Sequence, residues 1–220
     1  MPEVRVAVRL PYLLLLPDGE YATPAVGGSI RLREQSELHQ ANEPEELRTE
    51  VSALFVCGSE QEDAVKQIRA VQAERLLRQT NHLLRWYRAV SRQPRVAELS
   101  RAQASRFCFT VEETGELWSE PLEYGATPEP LPAEIAEIQQ SIREGLASAA
   151  EPSVASLSML DAEYAIKTGR FREAILFCWS AIDATFSRKY EALVDDALAE
   201  NGTMRAGFFA VTPIFQCATA

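Results

Sequence analysis

The residues with the most concentrated chemical potential in this chain are cationic and share one stretch. Between Lys66 and Arg106, ten lysines and arginines stand against two acids, Glu74 and Glu98. That is a local charge of +8 inside a chain whose formal net charge is −10. On a helix, Arg75, Arg78, His82, Arg85, Arg88 and Arg92 fall within one arc of about 140°. Guanidinium groups fork onto phosphate oxygens, and neutralising a nucleic-acid backbone releases its counterions. These six residues are therefore the candidate nucleic-acid contacts, with RNA or another single-stranded nucleic acid as the expected partner. The same pattern fits a solvated helix face, or a face that pairs with acids elsewhere in the chain. Arg75 and His82 are six residues apart, a spacing that arises easily in an Arg-rich helix, and His82 by itself reads as a surface histidine.

Other chemistry is sparse. Four cysteines, Cys57, Cys108, Cys178 and Cys217, are scattered without a C-x-x-C pair, and two histidines cannot supply a rich metal site. No metal or cofactor is expected, and the thiols read as reduced and mostly buried, as in a cytoplasmic protein. Gly27-Gly28 stands alone rather than in a phosphate-binding loop, and no G-x-S-x-G elbow is present. The adjacent acids Glu45-Glu46, Glu112-Glu113 and Asp195-Asp196 would point about 100° apart on a helix and make poor ligand pairs. The longest early apolar run, Leu13 to Leu16, is far short of the roughly 20 residues that span a bilayer, so no membrane association is expected.

The elements that must position these groups follow from periodicity. Val4, Val6 and Val8 alternate with Arg5, Ala7 and Arg9, a half-buried strand that Pro11 interrupts. Pro17-Asp18-Gly19 signals a turn, and SIRLRE after Gly28 is a second short strand with Ile30 and Leu32 inward. Residues 33–50, rich in Glu and Gln, suggest a solvated loop or short helix, and 50–58 a buried strand. Ser59 and Glu62 form a capping-box pattern that opens a long helix over about 60–92, ended by Pro94. Its apolar side includes Val65, Ile68, Leu76, Leu83, Trp86, Tyr87 and Val90. A loop with a short helix from near Ser100 follows. A hairpin then turns at Glu113-Thr114-Gly115. Four prolines in 121–132 mark a linker. A helix to about Leu146 comes next, with Ile135, Ile138 and Ile142 aligned.

The last region, Leu157 to Leu198, reads as two helices joined at Gly169. Phe171, Ile175, Cys178, Ile182, Phe186, Leu193 and Ala197 recur at three- and four-residue steps in the second, with Leu176, Trp179 and Tyr190 widening that side. They are expected to form a bundle core with Leu157, Leu160, Tyr164 and Ala165. Ala174 and Ala181 are small enough to let a neighbouring helix approach closely.

The positions Ala162, Gly169, Phe171, Ala174, Ala181, Ile182 and Asp183 resemble the opening hairpin of the HEPN group of four- to five-helix modules. A single tetratricopeptide-like hairpin shares part of that spacing. A repeat would end its second helix sooner, however, and no second copy appears at a period of about 34 residues. The HEPN resemblance implies a module that often dimerises. In catalytic members it also implies a metal-independent ribonuclease with an R-x(4–6)-H motif near the module's end. No His follows His82, so no catalytic residue is assigned. The chain reads as a non-catalytic relative, or as one whose catalytic helices lie beyond it.

The expected architecture is α+β: a mixed strand and helix domain over 1–120, a Pro-rich linker over 121–132, and a helical HEPN-like module over 133–220, possibly incomplete. The resemblance places such a module in a nucleic-acid-directed, defence or toxin-type setting. The arginine face would then contact RNA or a phosphate-rich ligand, and the helical module would dimerise or hold a protein partner. The alternative is a structural or protein-interaction scaffold with no nucleic-acid role. The tail 207–220 is expected to be a docking or dimer segment.

Overall fold

Alternating valines become the centre of the sheet. In the computed structural model, which describes residues 2–37, 46–58, 61–100, 107–119, 129–131 and 136–201, β1 (Glu3–Arg9) lies between β5 (Glu46–Val56) and β6 (Cys108–Val111). Val4, Val6 and Val8 pair with Phe55, Ala53 and Val51 and are buried on one face. β3 (Gly19–Ala22), β4 (Ser29–Glu37) and β7 (Leu117–Ser119) complete an antiparallel six-stranded sheet in the order β3-β4-β5-β1-β6-β7. β2 (Tyr12–Leu14), cut from β1 as Pro11 requires, pairs in parallel with β8 (Glu129–Leu131). The fold is α+β.

One expectation about the strands changes. The polar stretch 33–50 continues β4 to Glu37 and resumes as β5 at Glu46, paired in register from Arg31↔Ser52 to Glu37↔Glu46. An antiparallel ribbon can tolerate polar side chains, so composition alone misjudged it. Ile30 and Leu32 do point inward. At the other hairpin Gly115 has φ 70° and its N–H donates to the Val111 carbonyl at 2.8 Å, as the Glu113-Thr114-Gly115 turn required.

One face of the sheet is covered by α1 (Glu62–Ser91), a 30-residue helix. Its N-cap is Gln61, with no side-chain capping bond; Ser59 lies outside the described residues. Arg92, with φ 53°, closes the helix in the left-handed region before Pro94. Leu76, Leu77, Leu83, Leu84 and Tyr87 are buried in the same core as the strand valines.

α2 (Ala136–Ala147) joins that core through Ile142 and Leu146, both fully buried. Gln139 donates to the Leu15 carbonyl at 2.8 Å, and the Arg143 guanidinium sits 4.8 Å above the Tyr21 ring. The boundary expected at 121–132 therefore needs correction on both sides. Part of that segment forms β8 against the N-terminal β2, and α2 packs with the sheet domain rather than opening a separate helical module. Residues 120–128, the short helix expected from Ser100 and the tail 207–220 lie outside the described residues, apart from Ser100 itself.

α3 (Val154–Lys167) and α4 (Phe171–Asn201) form the antiparallel hairpin expected at Gly169. Gly169 takes φ 76°, its N–H donates to the Ile166 carbonyl at 3.1 Å, and Arg170 N–H donates to the Ala165 carbonyl at 2.7 Å. This paired arrangement closes a helix whose C′ residue is left-handed, a conformation cheap for glycine.

Candidate functional site

The arginine face of α1 is divided: His82, Arg85 and Arg88 turn inward, while Arg75, Arg78 and Arg92 are exposed. Arg88 pairs with Asp161 of α3, and Arg92 reaches Glu163 at 3.7 Å. Arg85 reaches Glu151, on the segment that enters α3, at 3.2 Å, with Glu98 at 3.8 Å on the other side. His82, expected at the surface, is completely buried, with Nδ1 3.2 Å from Glu151 Oε1. It cannot touch an external ligand. Its neighbour Asn81 clamps the loop after α1, donating to the Leu99 carbonyl at 2.9 Å and accepting from Leu99 N–H at 2.7 Å. Arg75 donates to the Gly27 carbonyl at 3.2 Å. Arg78 is exposed and closes no ion pair with a described residue.

So the structure brings Arg85, Arg88, Arg92 and His82 together, but around acids of the same chain. Guanidinium charge engaged by carboxylates 3–4 Å away is not available to phosphate without breaking those pairs. The face holds α3 onto α1. Pairing with acids elsewhere in the chain describes Arg85, Arg88 and Arg92, whereas Arg75 and Arg78 stay exposed and close no ion pair with a described residue. Trp86 and Tyr87 behave as core residues: Tyr87 is fully buried, and burial pushes its hydroxyl up to about 12, against the opposing effect of the Leu15 backbone.

Comparison of the chain with protein-family models, curated proteins and solved structures finds no match. What the chain can do therefore rests on its own geometry. No described helix is long and apolar enough to cross a membrane, and no cluster suited to a metal ion occurs among the described residues.

The surface with the largest unsatisfied free energy is on α4. The contact between α3 and α4 is made by small residues: Ala174 and Ala181 are buried against a helix that presents Ser158, Ala162 and Ala165. Ser158 Oγ donates across the seam to Ser180 Oγ at 3.3 Å. The close approach expected from Ala174 and Ala181 is thus realised. The expected bundle core is not. Phe171, Ile175, Leu176, Trp179, Ile182, Phe186, Tyr190 and Leu193 are all between 45% and 69% exposed. They occupy a side of α4 turned roughly 130° from the alanine seam, at 100° per residue. The heptad-like stripe was legible, but the smaller stripe beside it wins the intramolecular contact because it lets the two backbones approach.

This apolar side continues onto α3. A groove of about 490 Å³ runs between the end of α1, α3 and α4, with Met159, Ile182 and Phe186 on its walls. The four aromatic residues carry 150–250 Å² each, so at two-thirds exposure they and the four aliphatics present on the order of 900 Å² of apolar surface. The largest patch on a typical monomer is roughly 300–600 Å². One partner of a stable interface contributes roughly 800 Å².

Proposed function

We propose that this protein is a non-catalytic helical interaction module of HEPN-like type, whose α4 face binds a second copy of the chain. The observation that carries the reading is the row of eight large apolar side chains left in solvent on one side of α4. A row of this length costs solvation free energy in the monomer and returns it on pairing, at roughly 25 cal/mol per Å² before association costs are subtracted.

The charges on α4 favour a copy of itself as the occupant. The helix begins near Arg170 and Arg172, of which Arg170 is paired with Glu173, and ends, after Arg188 and Lys189, near Glu191, Asp195 and Asp196, with no basic residue in its last turn. Acids at a C-terminus oppose the helix dipole. Two α4 helices packed antiparallel about a two-fold axis would set the basic start of each beside the acidic end of the other. The same patch would face itself, as a two-fold interface demands.

Light scattering and sedimentation of the whole chain test this. The expected species is twice 24.5 kDa at micromolar concentration. Trp179→Glu with Phe186→Glu returns it to the monomer without loss of helical signal, since both side chains are already wet. A wild-type monomer at tens of micromolar, or a dimer indifferent to those two changes, refutes the reading.

A further inference from the structure

The opposite end of the molecule carries a second surface, unrelated to α4. β4 begins at Ser29, but its pairing with β5 begins only at Arg31↔Ser52, while β5 runs on to Val56. Where the two strands part, a cleft of about 470 Å³ opens, with the flank of α1 at its base. That volume lies within the range of small-molecule sites, roughly 300–1,000 Å³.

Four arginines line the cleft: Arg5, Arg31, Arg33 and Arg75. The acids of its lining are Glu20 and Glu112, and Glu50 lies behind Arg5, so four arginines stand against three acids in a chain of net charge −10. Both lining acids are already engaged. Glu20 accepts from Ser29 Oγ, and Glu112 lies 2.9 Å from Arg5 Nε. Arg5 also reaches the buried Glu50 at 3.5 Å. Arg31 and Arg33 close no ion pair with a described residue. They sit two apart on one strand, hence on one face and about 7 Å from each other. The floor between the long side chains is low because Ser52, opposite Arg31, is small.

Arg75 is held in place rather than free to wander. Its guanidinium donates to the Gly27 carbonyl, which also accepts from Gln79 Nε2 at 2.6 Å. Gly28 makes room for it, since a Cβ there would lie 2.5 Å from the Arg75 Nη2 nitrogen.

We propose that this cleft is a binding site for a small organic phosphate. A phosphomonoester carries about −1.5 to −2 charge at neutral pH and offers three acceptor oxygens. Its oxygens match the forked guanidinium donors of Arg31 and Arg33, neither of which has a described carboxylate within ion-pair distance. Ser29 Oγ, whose proton goes to Glu20, keeps lone pairs that can accept from a hydroxyl on the rest of such a ligand.

Isothermal titration calorimetry of the full chain with ribose 5-phosphate, and with ribose as its uncharged counterpart, tests the site. Ribose 5-phosphate is expected to bind saturably at one per chain, weakening as salt rises, while ribose gives no saturable heat. Arg31→Gln with Arg33→Gln is expected to raise Kd at least tenfold, and Arg172→Gln, on α4, to leave it unchanged. Arg31→Gln alone, at an exposed position, is expected to raise Kd severalfold. The proposal is overturned by absence of saturable binding at millimolar ligand in low salt, by a Kd indifferent to the β4 changes, or by an equal loss from Arg172→Gln, which would mean unspecific charge attraction.

Discussion

Gly145 of α2 places two principles of opposite sign against each other. Glycine inside a helix is less favourable than alanine by about 0.8–1.0 kcal/mol, so Gly145→Ala at an ordinary helical site would stabilise the protein. Here a Cβ would lie 2.4, 2.6 and 2.7 Å from Cε3, Cδ2 and Cζ3 of Trp86 on α1. Carbon atoms in good contact sit about 3.5–4.0 Å apart, so the indole or the helix must move by about an ångström. The indole is a rigid plane beside the core, and α2 is fixed by Ile142, Leu146 and the Gln139 bond to the Leu15 carbonyl just after β2. Overpacking of this kind costs about 1–3 kcal/mol. Set against the helix gain, the expected result is that the stabilisation is cancelled, with a net loss of up to about 2 kcal/mol. Urea denaturation followed by circular dichroism measures it, with the m-value held constant as the check that compactness is unchanged. The decisive arm is the second background. With Trp86→Leu in place the obstruction is gone, and Gly145→Ala should then stabilise by about 0.8–1.0 kcal/mol. Stabilisation by the same amount in both backgrounds would show that the two residues do not touch. The assignment of α2 to the sheet core would then fail.

Two further outcomes follow from the core and from the α1–α3 contact. Tyr87 keeps its proton to about 12 in the folded protein, against 10.0 for an ordinary tyrosine. A raised folded pKa means that above pH 10 the unfolded chain sheds a proton that the folded one retains. Stability is then complete below pH 10 and falls between pH 10 and 12, by on the order of 2–3 kcal/mol. Tyr87→Phe should flatten that limb when urea midpoints are compared at pH 9 and pH 11.5; an unchanged alkaline loss would show that the hydroxyl is not the titrating group. Asp161→Ala removes the partner of Arg88, whose side chain is only 14% exposed, and should cost about 1.5–3 kcal/mol, the range for a hydrogen bond to a charged group. Adding Arg88→Met should recover part of that loss in the same urea assay, because the stranded charge is what costs most.

The sequence discloses elements where one residue type can satisfy only one environment. Val4, Val6 and Val8 have a single buried face to occupy, and Gly169 alone can turn left-handed cheaply between α3 and α4; both are where periodicity and turn chemistry placed them. It discloses less where a pattern has two possible partners. The guanidinium row of α1 was plain, but its acids, Glu151, Asp161 and Glu163, stand roughly seventy residues further on, and nothing local connects them. The prolines near 121–132 suggested a linker because they disfavour regular structure, yet Pro130 can sit in β8, which belongs to a two-stranded sheet where a missing N–H costs little. The cleft between β4 and β5 has no local signature either. Arg5, Arg31, Arg33 and Arg75 meet only once the strand register is set.

The apolar stripe of α4 is the most instructive case, because its period was right and its destination was not. A stripe records that a face must leave water; it does not record whose surface will cover it. Within the chain the competition is settled by reach. α3 has 14 residues and α4 has 31. At 1.5 Å per residue α3 extends for about 21 Å and α4 for about 46 Å. Running antiparallel from Gly169, α3 ends opposite the middle of α4. Beyond about Arg188, therefore, no described element of the chain lies alongside the helix, and Tyr190 and Leu193 stay wet whichever way α4 is rotated. Rotation could bury Ile175, Trp179 and Ile182, but at the expense of the Ala174–Ala181 seam and its close backbone approach. Most helical stability in proteins comes from packing an apolar face rather than from propensity. α4 thus has a physical reason to be completed from outside, and its alanines have already fixed which face is offered.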